Sequence, residues 1–85
     1  MSVKHQLPEE PVRSKGEATL LPDGHPELPV TIRTISASGI EVVAARSVSP
    51  GTPVDVHIHG HAARGTVESC RAEGGAFYIA IELSA

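Results

Sequence analysis

Three histidines alternate in His57-Ile58-His59-Gly60-His61. On a strand, residues two apart share a face, so these rings and Asp55 could converge on zinc, nickel or copper, for which imidazole nitrogen is a good ligand. Side chains on one strand face stand parallel in solvent, however, and Gly60-His61 has the composition of a turn that carries the third ring away. A solvated polar face is the simpler reading, a metal-binding module through His57 and His59 the sharper one, and no metal ligand is assigned. A histidine patch titrating near neutrality is a further alternative. Ser36 and Ser38 have no general base at a recognisable spacing, so they read as turn residues and not as nucleophiles. Cys70, with no His or Asp partner at a recognisable spacing, reads as a bystander on the face of Arg64, Thr66 and Glu68.

The elements that must position these groups are short runs rich in Val, Ile and Thr, each bounded by Gly, Pro, Asp or Ser. Six strands are predicted, at about 16–21, 29–35, 39–45, 53–59, 62–71 and 75–83. Period-2 alternation assigns an inner face to Val30 and Ile32, to Ile40, Val42 and Ala44, to Val54, Val56 and Ile58, and to Phe77, Ile79, Ile81 and Leu83. Thr31, Arg33, Glu41, Asp55, His57, Tyr78 and Glu82 fall on the opposite face, where Tyr78 reads as cover for a sheet edge, the alternative being a contact for a partner. Helical periodicity is absent. With so few large residues, closure into an antiparallel barrel removes edges that a flat sheet would expose, and an all-β, six-stranded barrel is the predicted fold. The charged stretch of residues 1–14, interrupted by Pro8 and Pro11, reads as a flexible N-terminal tail, and residues 15–85 as the barrel domain.

At 85 residues the chain suits one small domain with a thin core, too small for a deep enzyme cleft. It carries neither a Gly-rich strand-to-helix loop nor a G-K-[ST] signature. A non-enzymatic role follows. The net charge of −3, with seven Lys and Arg residues dispersed along the chain, argues against DNA or RNA binding. One cysteine favours a reducing compartment, and the absence of a leader-like or 18-residue apolar run argues against secretion and a membrane location, so a cytoplasmic protein is expected.

The stretch Thr31-Ile32-Arg33-Thr34-Ile35-Ser36-Ala37-Ser38-Gly39-Ile40-Glu41-Val42 joins two strands through a tight Ser/Gly turn. It resembles the [D/N]-x-S-x-x-G signature of the PilZ domain, a bacterial six-stranded β-barrel family, with Thr34, Ser36 and Gly39 at the fixed positions. The order of the remaining strands, from Arg13 to Leu83, is similar to the family's. The resemblance implies a receptor for the second messenger cyclic di-GMP. In the family an R-x-x-x-R segment ahead of the first strand wraps the ligand, and the Asp or Asn and Ser of the turn fix a guanine. Guanidinium forks suit phosphate and guanine edges, and a Gly with φ above zero would let the turn approach the ligand. Arg13 matches the second arginine, with Glu9 four residues before it and Glu17 four after, so neither spacing supplies a second arginine. Thr34 replaces the Asp or Asn and lacks its carboxylate or amide. Lys15 and Arg33 are candidate phosphate contacts.

The ligand-binding set is therefore Arg13, Lys15, Arg33, Thr34, Ser36 and Gly39, implying weak cyclic di-GMP binding by a signalling module with a protein partner in a motility, pilus or exopolysaccharide pathway. The alternative is a ligand-independent PilZ-fold adaptor, for which an exposed apolar patch around Val43 and Tyr78 is predicted.

Overall fold

The structure, a computed structural model, describes the backbone of Val12 and Arg13 and residues 16–84 in full. The described residues form seven strands and no helix: β1 (Val12–Arg13), β2 (Glu17–Pro22), β3 (Leu28–Ile35), β4 (Gly39–Ala44), β5 (Pro53–Ile58), β6 (His61–Glu73) and β7 (Ala76–Leu83). The ends of β2 to β7 lie within two residues of those predicted from the alternation. β1 falls in the segment read as a tail, the rest of which lies outside the described residues apart from the backbone of these two positions.

Every pairing is antiparallel, and the ring β2, β3, β4, β7, β6, β5 closes back on β2, giving a six-stranded barrel. β1 continues along the edge of β3 beyond β2, with Val12 opposite Ile35 and Arg13 opposite Thr34. Between them the Ile32 N–H donates to the Gly16 carbonyl at 2.8 Å, so β3 finds partners along this edge on both sides of the break.

Alternation fills the interior. Val30, Ile32, Ile40, Val42, Ala44, Val54, Val56, Ile79 and Ile81 are buried as the pattern requires, with Ile58, Phe77 and Leu83 half-buried around them. Ala18, Leu20, Leu28, Val48 and Val67 complete the core. Val48 belongs to the connection from β4 to β5, which crosses the barrel because those strands are not neighbours. There the Thr52 N–H donates to the Ser49 carbonyl at 3.2 Å, with Gly51 at φ 93°. That Ser-Pro-Gly-Thr turn is the type Pro and Gly specify.

Two bulges depart from strict alternation. The β3–β4 register slips between Ile32 and Thr34, leaving Arg33 as the extra residue, and the β6–β7 register slips between Val67 and Ser69, leaving Glu68 extra. A one-residue slip exchanges the faces of everything beyond it. Cys70 therefore packs against the core and does not share the face of Arg64, Thr66 and Glu68, correcting the expectation from simple alternation.

Candidate functional site

The turn from β3 to β4 is closed by its own groups. The Ser36 N–H donates to the Gly39 carbonyl at 2.8 Å, while the Ser36 hydroxyl accepts the Gly39 N–H at 3.2 Å and donates to the Gly39 carbonyl at 3.2 Å. The Ser38 hydroxyl stands 3.3 Å from that of Ser36. At 3% exposure Ser36 is the one buried polar residue among those described, so its hydroxyl is a staple inside the turn. Thr34 is half-buried, and its hydroxyl makes no hydrogen bond among the described residues.

Gly39 serves a different purpose from the one expected. Its φ is not positive; a Cβ there would instead lie 2.9 Å from the Ile81 carbonyl of β7, so the residue allows two backbones to approach. Thr34, Ser36 and Gly39 line a shallow concavity of about 320 Å³ together with Ile40, Ile81 and the acidic residues Glu68 and Glu82. Both glutamates are exposed, so the concavity has carboxylates on its wall. The bulge at Glu68 accompanies this placement, and local alternation gives no sign of it.

Of the remaining predicted ligand residues, Arg13 is brought to the site by backbone pairing, directly opposite Thr34. Lys15 and Glu9 lie outside the described residues. Arg33 does not line the concavity. Its guanidinium lies over the Tyr78 ring, 5.0 Å from the centroid, and that of Arg71 lies 5.2 Å from the same centroid. Tyr78 is half-buried on β7, which has β4 on one side and β6 on the other. It therefore occupies the middle of a sheet face and covers no edge, a correction to the sequence reading. Val43 stands directly opposite it on β4 and is also half-buried.

The histidines flank a tight turn. His59 and Gly60 both have positive φ, at 49° and 83°, and form a two-residue hairpin loop that returns the chain with His61 opposite Ile58 and Ala62 opposite His57. Among the described residues no group of three His, Cys, Asp or Glu side chains is arranged to hold a metal. Asp55 binds Arg64, with the Arg64 guanidinium donating at 3.1 Å. The three rings instead line a broad concavity of about 930 Å³ with Glu17, Ala18 and Ala44.

No family model and no curated protein matches the chain. Among solved structures it is similar to that of the Bacillus subtilis inhibitor of motility (MotI/DgrA), a PilZ-domain protein, with a TM-score of 0.72 over the whole chain at 18% identity. The chain spans 44% of that protein's length. The fold is a PilZ-like β-barrel. No helix among the described residues is long and apolar enough to cross a membrane.

Proposed function

We propose that the chain is a non-catalytic PilZ-type signalling module that binds cyclic di-GMP weakly at the turn formed by Thr34, Ser36 and Gly39. The observation that supports this reading is the register of β1, in which Arg13 pairs with Thr34 and so brings the arginine-bearing segment to the turn. A guanidinium there offers a planar fork to a phosphate or a guanine edge, and Lys15, two residues on, a point charge. The Thr34 hydroxyl replaces a carboxylate or amide, a loss of about 1–3 kcal/mol against a guanine edge. Glu68 and Glu82 beside the turn repel phosphate, so the affinity is low. The module works in the cytoplasm on a protein partner, and the similarity to an inhibitor of motility favours a motility, pilus or exopolysaccharide pathway.

The second reading is an adaptor that acts without the nucleotide. It is favoured by Ser36, whose hydroxyl is occupied within the turn. Titrating the 15N-labelled protein with cyclic di-GMP separates the two. Saturable amide shifts at Arg13 and from Thr34 to Gly39, weakened by Arg13→Ala and Ser36→Ala and unaffected by His57→Ala, are the expected result. Full affinity in Arg13→Ala overturns the site, and no shifts at millimolar ligand leave the adaptor reading.

A further inference from the structure

We propose that Arg33, Tyr78 and Arg71 form a docking site for an acidic segment of a partner protein, bound in extended form across the outer face of β4, β7 and β6. The surface follows from the topology. Arg71 on β6 is directly opposite Tyr78 on β7, and Val43 on β4 is opposite Tyr78 on the other side. Arg33, the bulged residue of β3, reaches the same ring across the intervening strand β4. Re-aiming a side chain is what a bulge does, and here it brings two strands' cations to one aromatic ring.

The phenol ring attracts both guanidinium groups and restrains them, yet it accepts none of their N–H bonds. Among the described residues neither arginine forms an ion pair or a hydrogen bond. Glu41, two residues from Val43 on β4, and Glu73, two from Arg71 on β6, form no salt bridge with either. Two charged forks are thus held on a chain of net charge −3 without acceptors among the described residues.

Complementarity selects the occupant. Carboxylates bond guanidinium forks bidentately, and both arginine centres lie near one ring centroid, no more than about 10 Å apart. Carboxylates two residues apart on an extended peptide project from one face at a separation of roughly 7 Å, which suits this span. None of the three residues lines the concavity at the Ser36 turn or the one beside the histidines. A strip of sheet with Tyr78 at its centre, flanked by Arg71 and by Val43 at the margin of the histidine concavity, suits an extended peptide better than a small ligand that requires enclosure.

The test uses the 15N-labelled full chain and a synthetic nine-residue peptide with glutamates at alternate positions, with a glutamine version as control. Saturable shifts at Val43, Arg71 and Tyr78 amides and at both arginine Nε–H groups are expected, weakening by about tenfold in Arg33→Gln with Arg71→Gln and further as salt is raised. The glutamine peptide and Arg13→Ala set the controls: the first should not bind, and the second should bind the acidic peptide normally, which separates this surface from the nucleotide site. No shifts at millimolar acidic peptide, or equal binding by the double variant with its amide spectrum still folded, overturns the proposal. Cyclic di-GMP shifting these resonances in place of the Thr34 turn also overturns it, because the surface would then belong to the nucleotide.

Discussion

Arg64 faces two carboxylates, Asp55 directly across the β5–β6 pair at 3.1 Å and Asp23 on the β2–β3 connection at 2.9 Å, whereas Arg33 and Arg71 face one tyrosine ring. All three side chains sit on the outside of the same barrel. The carboxylates accept the N–H bonds of Arg64 and neutralise it, and hydrogen bonds to Asp23 first and Asp55 second push its pKa up. A raised pKa means that the guanidinium's share of the clasp's stabilisation is complete below the ordinary guanidinium range and lost as pH rises through the folded value. Titration through neutrality leaves it intact. The tyrosine positions its arginines without neutralising them, and no described residue accepts their N–H bonds. A charged residue already supplied with acceptors ties the fold together, and one held in place without acceptors is equipped to meet a partner.

The comparison breaks most completely when the support common to both regions is removed. Ile79 is fully buried on β7 beside Tyr78 and opposite Val42 and Cys70. Ile79→Ala is expected to cost about 2–5 kcal/mol by urea denaturation, with amide protection of β6 and β7 lost together. A smaller change reaches the Arg64 side first. A Cβ on Gly65 would meet the Glu82 carbonyl and lie 2.9 Å from the Ile81 Cγ2, so Gly65→Ala should cost about 1–3 kcal/mol. Its amide shifts should centre on β5, β6 and the end of β7, leaving the Arg33 and Tyr78 resonances near their original positions. Equal perturbation of both regions would show that they are mechanically one.

Legibility followed the same division. Alternation at Val30 and Ile32, Ile40 and Val42, Val54 and Val56, and Ile79 and Ile81 is a local property, and each of those residues lies in the core. The bulges at Arg33 and Glu68 are properties of strand pairs, so alternation along one strand placed Cys70 on the wrong face. Tyr78 as edge cover went astray because β7 lies between β4 and β6, and its contact with Arg33 was not legible because it joins strands separated by β4. The Arg64 clasp likewise joins Asp23, 41 residues away, through closure of the barrel. Gly65 carried a readable signal, since an isolated glycine inside a strand pattern marks close backbone approach. Thr34, Ser36 and Gly39 are contiguous enough to be read as one turn, whereas the carboxylates beside it come from β6 and β7.

The smallest expected effects sharpen the contrast most. Arg64→Gln removes a charge from an exposed cluster whose carboxylates then face each other without it, so its midpoint temperature should fall modestly and the difference from the native chain should shrink in molar salt. Arg33→Gln and Arg71→Gln each remove a cation from an aromatic face, worth at most about 0.5–1 kcal/mol at exposed positions, and leave no carboxylate without its ion-pair partner among the described residues. Their midpoints should stay close to the native value while the acidic peptide is released. If Arg33→Gln instead destabilises the barrel as much as Arg64→Gln does, the tyrosine stack is a second structural clasp. If stability holds and peptide affinity falls, the same side chain serves cohesion where acceptors surround it and recognition where an aromatic ring presents it.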